Sequence, residues 1–237
     1  MKLNPQIAED GSEIEELKQR LKHITEHLEA AYGVPQNTHQ TDPLDELIAT
    51  ILSQSTSDVN SHRAFQSLKQ KYQQWESVQR ARLSSIALAI KSGGLANVKS
   101  VVIKNVLNEI KLRLGSFDLS FLRKVAVSEA MRFLTSLKGV GPKTARCVLL
   151  FACERPVFPM DTHIFRILRR LEVLPMRGND ELLHTRIEPL IPPGKHYSLH
   201  INLIRHGRRV CHSREPECLH CCLIEYCPTG QGLIDFD

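Results

Sequence analysis

Several things are missing from this chain. No run approaches the ~18 apolar residues that a membrane-spanning helix needs, so no membrane partner is expected. The opening Met1-Lys2-Leu3-Asn4-Pro5-Gln6 is polar and has no apolar h-region, so the protein is expected not to be secreted. Strand-like alternation of apolar and polar residues never lasts beyond four or five positions, which argues against a sheet. No internal repeat or low-complexity tract is present.

What remains is a helical pattern. The 237 residues give room for one large or two small domains, and 42% are hydrophobic, an ordinary content for a globular protein. Helices are predicted at about 13–32, 45–53, 57–72, 83–92, 97–113, 128–137, 142–153, 162–171, 179–190 and 197–208. Gly and Pro stand between these stretches rather than inside them. The fold class is therefore all-α. A net charge of +5 permits nucleic-acid binding without demonstrating it.

Seven cysteines in a chain without a secretory signal suggest ligands and buried thiols rather than bridges. Four of them, Cys211, Cys218, Cys221 and Cys227, crowd together with gaps of six, two and five residues. Four thiolates from one short segment can surround a tetrahedral zinc or an iron–sulfur cluster. Zinc sites usually pair their ligands in two C-x(2–4)-C knuckles, and this run has only one short gap, which favours the larger cluster. Cys147 and Cys153 read as small core residues, and Cys222 as a spare thiol beside the loop.

The most informative interior stretch is 128–171. Ala130, Phe133, Leu134 and Leu137 recur at helical spacing, and Ala145, Val148, Leu149 and Ala152 repeat it after a turn. Between them lies Leu137-Lys138-Gly139-Val140-Gly141, followed by Pro142 at a first helical position. Glycines let bare N–H groups approach a ligand, and the positive helix start behind them suits a phosphate. A tight helix–helix turn needs no ligand, but Lys143 follows directly, with Lys138 and Arg146 nearby. Asp161 precedes a helix with core face Ile164, Ile167, Leu168 and Leu171, as an N-cap does.

Leu137-x-Gly139-Val140-Gly141-Pro142-Lys143-Thr144-Ala145, then Asp161-Thr162-His163, then the cysteine loop, resemble in order and spacing the endonuclease III family of helix-hairpin-helix DNA glycosylases, across roughly 40–228. That resemblance implies a two-domain fold. A six-helix barrel would occupy 39–155, with the hairpin at about 128–153. An iron–sulfur helical domain at 156–237 would carry the 4Fe–4S loop at 211–227, with the segment 1–38 packing on it. Damaged double-stranded DNA would bind a monomer in the cleft between the domains.

The resemblance also implies roles. Lys143, at a helix start and with its ammonium disfavoured by the dipole and by burial, would attack the sugar C1′. Asp161 would stabilise the positive charge that develops and assist proton transfer. Cys211, Cys218, Cys221 and Cys227 would hold the 4Fe–4S cluster. Leu137, Gly139, Val140, Gly141, Arg166 and Arg208 would meet phosphates, within basic groups that also include Arg169, Arg170, Arg205, His206 and Arg209. Gln54 and Leu95 would fill the space left by the flipped base, although Gln54 stands one place earlier than in the commonest motif, with Ser55 in the expected slot. His163 reads as a structural hydrogen-bonding residue.

Lysine at 143 points to the bifunctional branch: a base-excision glycosylase with AP (β-elimination) lyase activity, removing oxidised pyrimidines through a Schiff base. The alternatives are a non-catalytic cluster-containing DNA-binding or damage-sensing protein, and a glycosylase for mismatched, alkylated or methylated bases. Phe158-Pro159-Met160-Asp161 and Asp118-Leu119-Ser120-Phe121-Leu122 are similar to plant 5-methylcytosine-excising relatives. Such a protein would work in the cytoplasm at the bacterial nucleoid or, in a eukaryote, in the nucleus or an organelle.

Overall fold

The computed structural model describes residues 11–37, 41–178 and 180–234, and these contain helices and turns but no strand. The all-α expectation therefore holds. None of the described helices is long and apolar enough to cross a membrane. The chain divides at 38/39 and 155/156 into two compact units, one from the middle of the chain and one from its two ends.

The middle unit runs through α2 (Pro43–Ser53), α3 (Asp58–Lys71), α4 (Trp75–Arg80), α5 (Leu83–Ala89), α6 (Ala96–Leu114), α7 (Val127–Ser136) and α8 (Pro142–Phe151). Local chemistry sets the ends of these helices. The Asp42 carboxylate accepts the N–H groups of Leu44 at 2.9 Å and Asp45 at 3.2 Å, opening α2 in front of Pro43. Ser57 caps α3 through the Asn60 N–H, and Gly115 closes α6 with a left-handed φ of 69°.

Packing makes α2 and α8 the centre of this unit. Leu44, Leu47, Ile48, Ile51 and Leu52 are fully buried on α2, which packs against α3 and α8. On α8 every residue from Thr144 to Leu150 is buried. Helix α6 buries the single stripe Ile103, Val106, Leu107 and Ile110, the spacing of one helical face. A helix this sparsely apolar is held by what it leans on.

The unit of the two ends joins α1 (Gly11–Tyr32) to α9 (Thr162–Arg170), α10 (Asp180–Ile187), α11 (His196–Arg209) and α12 (Pro228–Ile234). Leu17, Leu21, Ile24 and Leu28 of α1 enter one core with Ile164, Ile167, Leu168, Leu171, Leu199 and Leu203. Polar ties fix α1 along α11. Glu29 accepts from Lys195 at 2.8 Å and from Ser198 at 2.6 Å, and Asn202 donates to the Gly33 carbonyl at 2.9 Å.

Two short helices, α4 and α12, lie outside the predicted spans. Helix α4 has six residues, too few to show a period, and rests on Trp75, whose indole N–H donates to Asp45 at 2.9 Å. Helix α12 carries Gly230 and Gly232, poor helix formers, and is held by the cysteine loop against which it packs.

Candidate functional site

The hairpin of α7 and α8 places its residues in three different environments. Leu137 and Val140 are 1% and 4% exposed, so their side chains anchor the turn, and only its backbone remains to meet a ligand. Gly139 has a φ of 93°, and a Cβ there would lie 2.6 Å from Val102 Cγ1 on α6, so the fold itself demands glycine. Gly141 differs. Its φ is −86°, a Cβ would meet nothing within 4 Å, and it is exposed. Nothing inside the protein requires glycine at 141.

Behind Gly141, the N–H of Ala145 closes the first turn of α8 on the Gly141 carbonyl at 3.0 Å. The N–H groups ahead of it have no intrahelical partner, as at any helix start. Lys143 sits in this turn and is exposed, which corrects the burial expected from the sequence. The Gln54 amide reaches the same turn and donates to Thr144 Oγ1 at 3.2 Å, so the structure brings Gln54 to the residue next to Lys143. Leu95 begins α6 with a left-handed φ of 48° and is 60% exposed, an unusual condition for a leucine.

Asp161 belongs to the other unit. Its Oδ1 accepts the Ile164 N–H at 2.9 Å as the N-cap of α9, and the residue is half-buried. The segment leading to it is strapped down. The Phe158 N–H donates to Glu188 at 2.9 Å, and the imidazoles of His184 and His200 bond the carbonyls of Phe158 and Pro159 at 2.9 and 2.8 Å. Sequence reasoning missed these three supports, because their partners lie 26 to 41 residues away.

Arg166 was expected to contact phosphate, and the structure assigns its donors elsewhere. Its guanidinium donates to the carbonyls of Gly207 at 2.9 Å and Cys211 at 2.7 Å. Arg170 likewise donates to Cys211 Sγ at 3.1 Å and to the carbonyls of His212 and Ser213. These arginines brace the cysteine loop. Arg208 is exposed on the last turn of α11. His163 bonds Arg166 at 3.0 Å and packs against Gly207, where a Cβ would stand 2.8 Å from the imidazole.

No disulfide joins any of the seven cysteines. The loop presents donors to the sulfurs of the 6-2-5 set. Leu223 N–H points at Cys221 Sγ at 3.4 Å, Gly230 N–H at Cys227 Sγ at 3.3 Å, and the Arg170 guanidinium at Cys211 Sγ. At Gly230 a Cβ would stand 2.9 Å from Ile224 Cδ1 and 3.3 Å from Cys227 Sγ, so glycine lets the backbone lie against the end of the cysteine loop. Burial, with the neighbouring cysteines, pushes the Cys221 thiol up to about 12 and raises those of Cys218 and Cys227. Thiolates here call for a positively charged partner. Among the described residues no three ligating side chains converge as a single metal ion requires.

The profile of a family described as "HhH-GPD superfamily base excision DNA repair protein" matches residues 48–193. An Arabidopsis thaliana protein described as a candidate DNA glycosylase is 39% identical over 171 residues, 72% of this chain and 58% of that protein. The chain thus spans little more than half the length of that relative. An endonuclease III of Sulfolobus acidocaldarius is 35% identical over 76% of this chain and 79% of its own. In fold, the chain superposes on the protein of a non-covalent endonuclease III–DNA complex with a TM-score of 0.78 at 23% identity, covering 92% of this chain and 98% of that one. The chain belongs to the HhH-GPD superfamily of base excision DNA repair proteins and, within it, to the endonuclease III family.

Proposed function

We propose that this protein is a bifunctional base-excision glycosylase and AP lyase that removes oxidised pyrimidines from damaged double-stranded DNA, working as a monomer. One observation carries the reading. Lys143 stands exposed in the first turn of α8, directly behind an exposed glycine whose absent side chain the protein's own packing does not explain. A backbone phosphate at the Gly141 N–H and the α8 N-terminus would set the strand beside that amine.

The chemistry follows from the residue types. The Lys143 amine, once it has given up a proton, attacks C1′, the bond from C1′ to the base breaks, and the base leaves with the electron pair and takes up a proton. Asp161, held as an N-cap, keeps a carboxylate in place to stabilise the positive charge that develops on the sugar and to shuttle protons. The C1′–O4′ bond then opens, O4′ leaving as a hydroxyl, to give a Schiff base that acidifies the C2′ proton, whose removal expels the 3′ phosphate, and water then releases Lys143. Cys211, Cys218, Cys221 and Cys227 would hold a 4Fe–4S cluster, which supplies the cation that these four thiolates require and so ties down the loop.

The test is borohydride trapping on duplexes carrying thymine glycol, dihydrouracil, uracil, 8-oxoguanine or an abasic site. A covalent complex with the abasic and oxidised-pyrimidine duplexes is expected, and its absence from all of them overturns the reading. Asp161→Asn preserves a good cap and is expected to lower base excision by a factor on the order of 10². Cleavage at a preformed abasic site should fall less, because the base has already gone.

A further inference from the structure

Lys99 is a lysine almost sealed from water, at 3% exposure, one helical turn past Leu95. Its ammonium donates to the Leu52 carbonyl at 2.7 Å and to the Gly93 carbonyl at 2.7 Å. Burial lowers its pKa from the ordinary lysine value. A buried amine is costly unless bonded, so an apolar side chain would be the cheaper occupant if packing alone mattered here.

The two carbonyls explain the choice of residue. Leu52 lies in the last turn of α2, where carbonyls have no intrahelical partner, and a cation there also meets the negative end of the helix. Gln54 follows two residues later. Gly93 lies two residues before Leu95. Each segment then passes a non-glycine residue in the left-handed region, Ser55 with φ 53° and Leu95 with φ 48°. Such conformations cost on the order of 1–3 kcal/mol and persist only where the surroundings hold them. The Gly93 backbone also lies close to the Leu52 carbonyl and to Ala64 of α3. A Cβ at Gly93 would lie 3.1 Å from Ala64 Cβ and 3.7 Å from the Leu52 carbonyl oxygen.

We propose that Lys99 is a positioning residue that locks the Gln54 and Leu95 segments into one rigid wedge, which enters the duplex as a unit when the damaged nucleotide leaves the stack. The inference rests on the function proposed above and deepens it. Extruding a base costs a few kcal/mol of unstacking. A wedge of fixed shape loses less freedom on entering DNA than two loops ordered separately.

The test separates wedge from scaffold. Lys99→Met keeps the stem and removes the donors, whereas Lys99→Arg keeps donors at nearly the same reach. Extrusion is read from the fluorescence of 2-aminopurine placed beside the lesion, which rises as stacking is lost. Excision is read in single turnover on duplex, and the amine chemistry by borohydride trapping on a single-stranded abasic oligonucleotide, which needs no wedge. Lys99→Met is expected to lower extrusion and duplex excision together by about tenfold to a hundredfold, with single-strand trapping within about twofold of wild type. Lys99→Arg should recover most of the loss. Gly93→Ala, whose Cβ would press on Ala64 of α3 at 3.1 Å and so shift the Gly93 segment while keeping Lys99, should reduce extrusion in the same direction. Added to Leu95→Ala, Lys99→Met should cost little more, since the two act through one device. Normal extrusion in both Lys99→Met and Gly93→Ala, or equal loss on duplex and single strand, overturns the proposal. Wild-type protein that does not trap removes the underlying reading instead.

Discussion

The hairpin turn has two glycines within it and the cysteine loop has one just beyond it, Gly230 of α12, and the two segments treat their polar groups in opposite ways. In the hairpin Gly141 and Lys143 are exposed, and the start of α8 is left open behind them. In the cysteine loop the donors turn inward. Arg166 and Arg170 bond its carbonyls and one sulfur, and the N–H groups of Leu223 and Gly230 meet two more. The glycines differ in the same way, because Gly230 makes room for Ile224 and the Cys227 sulfur of its own chain while Gly141 makes room for nothing the chain contains. A surface that leaves its donors open is built to meet a partner. One that commits them internally is built to hold itself together.

The largest effect should come from breaking the inward-facing region. If the four cysteines hold the proposed 4Fe–4S cluster, the wild type is expected to be brown with about four irons per chain, and Cys218→Ser is expected to lose that colour and iron and to unfold the loop with α12, which has few apolar contacts of its own. Iron analysis, acid-labile sulfide and circular dichroism read this, and one equivalent of zinc without sulfide in the wild type would contradict it. Cys222→Ser serves as the control and should change little.

Next come the two hairpin glycines. Gly139→Ala meets both a left-handed φ and a 2.6 Å contact with Val102, so it should cost on the order of 1–3 kcal/mol of stability. Gly141→Ala meets neither, and its thermal midpoint should stay at or slightly above that of wild type. It should nevertheless weaken binding to damaged and undamaged duplexes alike. Loss confined to one lesion would mean that the hairpin reads the base.

The smallest effect sharpens the contrast between two arginines. Arg208→Met should reduce the slope of log affinity against log salt by about one. Arg166→Met should leave that slope unchanged while destabilising the cysteine loop, because the carbonyls of Cys211 and Gly207 lose their donor. Equal slopes for both variants would erase the distinction between outward and inward basic residues.

Much of the helical framework was legible in the sequence, because α1, α2, α8 and α9 carry apolar stripes at helical spacing and α2, α8 and α9 start at caps or prolines. The hairpin turn and the cysteine spacing were legible because their residue types have few other uses. The commitment of an arginine was not. Arg166, Arg169 and Arg170 form one basic face by spacing, and only the folded chain shows that Arg166 meets carbonyls 41 and 45 residues away. Lys99 was missed for the same reason, since a buried lysine reads in sequence like a surface one, and its Leu52 partner lies 47 residues upstream. The exposure of Lys143 was misjudged because sequence shows a position on a helix and not what covers it.

The central claim is that Lys143 is the amine that takes the sugar. The trapped complex with an abasic duplex, reduced by borohydride and digested, should place the added sugar remnant on the peptide containing Lys143, and Lys143→Gln should give no trapped species while still binding the duplex. A remnant on Lys138, on Lys99 or on the N-terminal amine, or robust trapping by Lys143→Gln, would contradict the account.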